Sequence, residues 1–336
     1  MKYSFTQCRY IVLISLYVLM FGLMALARPI DAHAGDHHAV HTAYTDVEAP
    51  VIGPKGYHVG SYGDGAYWIT DGLYNSMFIV SDEGVIVVDA PASYADKIPV
   101  AIREITDKPV RYFIYSHHHG DHTGGAGLFG DGVTYIAHAL AAKELERVGD
   151  LGRPIPSVTF EDTYSLTLGN QVVELAYPGL QHSPGNVFIY LPQQKVLMLV
   201  DVLYPGFVPF QDFAMAASVP GFFETFEQAR AYDFKHFQGG HVGRPGTKAD
   251  FENANQYVLD VQANAGLGMQ VASPPGSYMA AGDAITQPYF PINTYIGTAA
   301  EICAQMTLET WRGRLQAADL YTEGHCRTTV INMMID

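Results

Sequence analysis

Four candidate metal ligands, His117, His119, Asp121 and His122, fall within the six residues 117–122. They follow the apolar run Val110 to Tyr115 and precede Thr123-Gly124-Gly125. An apolar strand fixes the backbone leading into such a cluster, and glycines let the chain turn closely around a ligand. Alternation along an extended segment places His117 and His119 on one side, where they can share one cation. His118 then points the other way, into a supporting or structural role rather than a ligand position. Asp121 and His122 fall at the turn and can reach a second cation beside the first. Imidazole and carboxylate without thiolate suit zinc, and also iron or manganese. Two divalent ions held this way would bring the pKa of a water towards neutrality and polarise a substrate oxygen, which is hydrolytic chemistry. Asp121 would orient the attacking water and later help to protonate the leaving group.

The elements that must position this cluster can be read from hydrophobic periodicity. Ala66 to Thr70, Ser76 to Ser81 and Val85 to Asp89 are short β-branched and aromatic runs punctuated by Gly and Asp. Ser93 to Thr106 has helical spacing, with Ile98, Ala101, Ile102 and Ile105 on one side. Strands are predicted over Val110–Tyr115 and Val133–Ala137, and a helix over Leu140–Val148. A second β-rich stretch covers Thr163–Leu168, Val172–Ala176, Asn186–Leu191 and Val196–Val200. Helical spacing returns over Phe222–Tyr232, followed by a short strand at Lys235–Gln238 and a helix from Lys248 to about Ala263. Two β-rich halves with intervening helices predict a four-layer αββα sandwich of the α/β (α+β) class, its sheets packed inside and its helices outside. Thr298–Trp311 is a further candidate helix, Pro274-Pro275-Gly276 marks a break, and the tail after Arg314 carries no evident chemistry. The expected organisation is a domain over residues 55–263 and a C-terminal extension over 264–336.

Composition narrows the function classes. The chain has 336 residues, 48% hydrophobic and 16% charged, which is globular rather than disordered. A net charge of −15 argues against a nucleic-acid partner, which needs clustered Lys and Arg, and does not favour an anionic membrane surface. A small-molecule substrate is the expected partner; oligomeric state is not encoded legibly. Lys2 and Arg9 precede a nearly unbroken apolar run from Ile11 to Ala27, with small-x-small cleavage sites at Ala25-Leu26-Ala27 and Ala32-His33-Ala34. Residues 1–34 therefore read as a secretory signal peptide, with an uncleaved membrane anchor as the alternative. Residues 35–54 read as a linker whose His37, His38 and His41 belong to a solvated tail. Export to the periplasm or beyond leaves Cys303 and Cys326, an even pair in an oxidising compartment, either bridged or as two thiols.

The run His117-x-His119-x-Asp121-His122, continued by Thr123-Gly124-Gly125, resembles the signature motif of the metallo-β-lactamase superfamily. The resemblance covers about Tyr57 to Val242 and implies that superfamily's αββα sandwich. It further implies that His182, in Gln181-His182-Ser183-Pro184-Gly185-Asn186, completes a first metal site with His117 and His119. Asp201, after the apolar run Val196 to Val200, corresponds to the carboxylate that bridges both metals in many members. The residue before it is Val200, where the family usually has Gly. His241, in Gly239-Gly240-His241, would join Asp121 and His122 at the second metal. Asp89, at the end of Val85–Val88, would support the ligands by hydrogen bonding.

The implied cofactor is a pair of divalent ions, most simply zinc, and the implied activity is metal-dependent hydrolysis. An Asp at position 201 is more like lactonases and related hydrolases of the superfamily than like its β-lactamases. No Arg or Lys cluster near the motif favours a phosphate-rich substrate. A lactone, ester or amide is the preferred electrophile; the alternatives are a β-lactam hydrolase and a non-hydrolytic redox or metal-binding member. Tyr204, Phe207, Phe210 and Phe213 follow Asp201 in a Pro- and Gly-containing loop and are expected to wall an apolar substrate pocket.

Overall fold

A computed structural model of the chain describes residues 49–273 and 289–335. The expected signal peptide, the linker histidines His37, His38 and His41, and Pro274-Pro275-Gly276 lie outside the described residues. Seven strands form the first sheet in chain order: β1 (His58–Gly63), β2 (Ala66–Thr70), β3 (Asn75–Val80), β4 (Val85–Val88), β5 (Val110–Ile114), β6 (Thr134–His138) and β7 (Val158–Phe160). Pairing is antiparallel through β4 and parallel from β4 to β7. Helices α1 (Ile98–Arg103) and α2 (Ala139–Val148) supply two of the crossovers that parallel strands require. The second sheet holds β8 (Thr163–Leu168), β9 (Gln171–Ala176), β10 (Phe188–Leu191), β11 (Val196–Met198), β12 (His236–Gln238) and β13 (Gly246–Thr247), in the order β13-β12-β11-β10-β9-β8. Helix α3 (Val219–Ala229) crosses from β11 to its parallel neighbour β12. Three longer helices follow: α4 (Lys248–Ala272), α5 (Phe290–Trp311) and α6 (Ala318–Ile335).

The period of two along each strand separates three apolar interfaces. Phe78, Val85, Val87 and Phe113 face outward onto Ile98, Ala101, Ala141 and Leu145 of α1 and α2. Their neighbours Met77, Ile79, Ile86, Val88 and Ile114 face inward onto Leu175, Ile189, Val196 and Met198 of the second sheet. Phe188, Leu197 and Leu199 turn outward again, onto Phe222, Phe226, Phe251 and Tyr257 of α3 and α4. Helix, sheet, sheet and helix are therefore stacked as the sequence predicts. Each fully buried side chain of this size contributes roughly 1.5–3 kcal/mol.

Several boundaries differ from expectation. Strand β1, HVGSYG, lacks the apolar density of a strand and is largely half-exposed. Helix α4 continues past Ala263 to Ala272 because Gly268 serves as a contact: a Cβ there would lie 2.3 Å from the Ala299 carbonyl oxygen of α5. Helix α5 begins at Phe290 rather than Thr298. The tail after Arg314 forms α6, whose inward face buries Thr322, His325 and Thr329 beside Cys326 and so hides its periodicity. Cys303 and Cys326 form a disulfide joining α5 to α6. Among the described residues no helix is long and apolar enough to cross a membrane.

Candidate metal centre

The cluster is positioned by hydrogen bonds that tie the end of β5 to its surroundings. Ser116 donates its N–H to Asp89 Oδ1 at 2.9 Å, and its carbonyl accepts the Val187 N–H at 3.0 Å, so one residue is fixed to both sheets. The carbonyls of His119 and His122 accept Thr123 Oγ1 at 2.7 Å and the Ala90 N–H at 2.8 Å. Gly125 permits this close turn, since a Cβ there would lie 2.0 Å from the Ala95 Cβ. The other ligand-type residues arrive at strand ends of the second sheet. His182 lies between β9 and β10, Asp201 follows β11, and His241 follows β12.

These residues converge into two groups. Ligand atoms of His117, His119, His182 and Asp201 lie within 4.8 Å of one another, as do those of Asp121, His122 and His241. Asp201 lies between them. Its Oδ2 is 3.2 Å from His182 Nε2 and 3.6 Å from His117 Nε2, while its Oδ1 is 3.1 Å from Nε2 of both His122 and His241. Asp121 Oδ2 is 3.4 Å from His122 Nε2, and its side chain is 44% exposed, the most open of the set. His117 Nε2, His122 Nε2 and Asp201 Oδ1 are buried without a hydrogen-bond partner. Buried polar atoms are ordinarily satisfied. A cation in each group would satisfy these, so the donor set fits two divalent ions. The opposite nitrogen of His117, Nδ1, lies 2.9 Å from Ser116 Oγ, which holds the ring with Nε2 towards the centre.

The electrostatics favour metal-ready imidazoles on one side. Burial pushes His117 well below the ordinary histidine value and His119 down to about 4, so both are neutral at neutral pH. Burial alone would raise Asp201, but the His122 charge and the close imidazoles of His122, His182 and His241 hold its carboxyl well below the usual range. Burial likewise opposes charge on His122, yet Asp201, Asp121 and Asp89 outweigh it and push His122 up to about 9. A proton there occupies the place of a cation, so metal and proton compete for that nitrogen. Burial raises Asp89 to about 6 against the His122 charge and the Ser116 hydrogen bonds.

His118 stands outside both groups; its carbonyl accepts Arg153 Nη1 at 2.5 Å, and Arg153 Nε is in turn held by Asp150. Of the expected pocket aromatics, Tyr204 reaches the centre, its ring stacked on His241 at 5.7 Å between centroids. The others do not. Phe207 pairs through its backbone with Gln316, Phe210 packs on Tyr321, and Phe213 is buried against His325 of α6. Residues 212–215 of the same loop adopt a left-handed turn that packs against the C-terminal helix. Three contributors escaped the sequence reading. Tyr74 lies tilted against His241 at 4.8 Å between centroids and meets His122 edge to face at 5.5 Å. Asn75 donates Nδ2 to the Gly239 and His241 carbonyls, fixing the last ligand's backbone. Asn186 Nδ2 donates to Gln181 Oε1 and the Val200 carbonyl, joining the His182 loop to the Asp201 strand. The signal for Asn75 was present: an amide opening an otherwise apolar strand.

Comparison with known proteins agrees with this geometry. Residues 69–325 match the metallo-beta-lactamase superfamily. The 2,4-dinitroanisole O-demethylase subunit alpha of Nocardioides sp. (strain JS1661) is 31% identical over 201 residues, covering 56% of this chain and 60% of that protein. The metallo-beta-lactamase type 2 of Bacteroides fragilis is 27% identical over 127 residues, 37% of this chain and 49% of that protein. The chain thus spans between about half and 60% of the length of these relatives. A metallo-beta-lactamase structure from Pontibacter korlensis superposes with a TM-score of 0.53 at 20% identity, over 60% of this chain and 99% of that one, and shows the shared fold.

Proposed function

Because the chain belongs to the metallo-β-lactamase superfamily, we propose that it is an exported hydrolase using two divalent metal ions, most simply zinc, to open a lactone, ester or amide. The observation that carries this is the division of the Asp201 carboxylate, one oxygen towards His117 and His182 and the other towards His122 and His241. When bound, the two ions supply an activated water and a Lewis acid for the substrate oxygen. His117, His119 and His182 would hold one ion, Asp121, His122 and His241 the other, and Asp201 both. Asp121, the most open member, is placed to orient the water and carry a proton to the leaving group. Tyr74 and Tyr204 pack against the His241 ring and brace it. Leu73 and Leu180 are exposed apolar side chains on loops adjoining Tyr74 and His182, and suit an apolar substrate moiety. Arg153 is committed to Asp150 and a carbonyl, which favours a neutral substrate over an anionic one. The Cys303–Cys326 disulfide supports an oxidising compartment, in keeping with the apolar run near the N-terminus.

An aryl ether is the second electrophile to test, because the relative named as an O-demethylase subunit is 31% identical over the matched region. The decisive experiment combines metal analysis with a panel of lactones, esters, amides, β-lactams, phosphodiesters and an activated aryl ether, each with zinc, manganese or iron. The expected result is two ions per chain and turnover of a neutral lactone, ester or amide, with His119→Ala losing metal and roughly 100-fold in rate. Full activity and full metal content in His119→Ala would defeat the assignment.

A further inference from the structure

The strangest backbone in the described chain lies in the loop after Asp201. Asp212, Phe213, Ala214 and Met215 all have φ between 52° and 57°, a left-handed turn made without a single glycine. L-residues with a β-carbon pay a steric cost in this region at every position. Such a turn persists only where its surroundings hold it.

Its surroundings are largely α6. The Phe213 ring stacks on the His325 ring at 4.3 Å and 19°, with Phe222 tilted against it at 5.3 Å and Phe223 in a T-shaped contact at 5.1 Å. His325 is fully buried and has no part in the reaction proposed above. Tyr257 donates its hydroxyl to His325 Nδ1 at 2.7 Å, so Nε2–H is free to donate to the Phe210 carbonyl at 3.2 Å, at the entrance of the turn. Thr328, one helical turn on, donates to Asp212 Oδ1 at 3.0 Å. Cys326, beside His325, is bonded to Cys303 of α5.

The exit of the turn touches a metal ligand. The Ala217 N–H donates to the His182 carbonyl at 3.0 Å, and the Ser218 N–H to the Gln181 carbonyl at 2.9 Å. These bonds fix the backbone from which the His182 ring reaches Asp201 and His119. We infer that His325 is a positioning residue for His182: α6 holds the left-handed turn, and the turn holds the ligand loop of the first metal site. If the turn relaxes to a right-handed conformation, residues 216–218 swing and both bonds to the ligand loop are lost. The second group, Asp121, His122 and His241, has no hydrogen bond to this turn among the described residues and keeps its geometry.

This inference rests on the two-metal reading and is tested by stepwise zinc titration of the full chain against a chromogenic chelator. The wild type is expected to bind two ions with resolvable constants. His325→Ala should weaken one constant about tenfold or more and leave the other within about twofold, and His325→Gln, which keeps a donor and an acceptor, should restore it. Thr328→Val, a mild change at a half-buried position of α6 that removes the bond to Asp212, should move the same constant in the same direction by a smaller factor, and decides the matter if His325→Ala does not fold. Thermal melts of the metal-free variants separate folding from binding. If both constants stay at wild-type values in the variants while only the melting temperature falls, α6 is a structural brace and the inference is overturned. If the wild type itself binds no divalent ion, the two-metal reading fails first.

Discussion

Asp89 accepts the backbone N–H of Ser116 at 2.9 Å, so the last residue of one strand's run sets the direction in which the neighbouring strand releases its histidines. Asp89 itself sits at φ 60°, a conformation that Asp and Asn tolerate better than most residues. Asp89→Asn should therefore fold and keep this hydrogen bond through its amide oxygen. Asp89→Ala should lose about 1–3 kcal/mol of stability and roughly tenfold or more in metal affinity. Denaturant unfolding and metal titration of both variants check this; equal behaviour of the Asn and Ala variants would refute the role.

Gly240 stands immediately before His241, where space is the constraint. A Cβ there would lie 2.5 Å from Val200 Cγ1, 2.6 Å from His122 Cε1 and 3.1 Å from Asp201 Oδ1. Gly240→Ala should displace ligands of the second group and cost roughly 1–3 kcal/mol from overpacking. Metal content should fall from two ions to one, measured on purified protein. Retention of two ions would show that the strand end can give way.

The N-terminus of α4 is anchored by a buried ion pair. Arg244 Nη2 and Nη1 donate to Asp250 Oδ1 and Oδ2 at 2.9 and 3.1 Å, and Asp250 also completes a capping box with Thr247. Burial raises the Asp250 pKa, but the Arg244 and Thr247 hydrogen bonds outweigh it and hold the carboxyl below its usual value. A folded-state pKa below the unfolded one gives stability that is present above about pH 4 and is lost as pH falls through the folded value. Asp250→Asn should cost about 3–5 kcal/mol at pH 7, because Arg244 then loses its charge partner in a buried site. The gap from wild type should narrow below about pH 4; urea unfolding across pH 3–7 measures it, and a constant gap would contradict the ion-pair account.

Ala214 occupies the middle of the left-handed turn at φ 57°. Ala214→Gly should raise stability by about 1 kcal/mol, because glycine reaches this region without steric cost. In most loops the same change would lower it. A fall in melting temperature would show that the turn is less strained than its dihedrals imply.

Much of the site was legible because its chemistry is written in neighbouring letters. His117, His119, Asp121 and His122 need only one strand end and one turn to come together. His182, Asp201 and His241 became readable through resemblance, since sixty to a hundred and twenty residues separate them from the motif and no local pattern links them. The sheets were legible for the same reason as the motif: each strand's alternation divides its side chains between two cores. Phe207, Phe210 and Phe213 were misplaced because their loop includes a left-handed turn packed against the C-terminal helix, and Asp-Phe-Ala-Met carries no glycine to announce one. Helix α6 stayed hidden because its buried face is made of Thr, His and Cys. Those residues are satisfied by partners far away in sequence, among them Tyr257 and Phe210.

Each group of ligands draws on both sheets. His117, His119, Asp121 and His122 come from the end of β5, whereas His182, Asp201 and His241 come from strand ends of the second sheet. An ion in either group is consequently a rivet through the sandwich, and its binding energy is shared with folding. Free metal at a hundred times the dissociation constant adds about 2.7 kcal/mol per site. A chain whose halves have formed but not docked offers each ion an incomplete set of ligands and gains little of this. The yield of finished protein should therefore follow the metal supply of the compartment where the chain folds, and starvation for the ion should be felt first as proteolysis of half-assembled molecules rather than as an accumulation of intact, inactive ones.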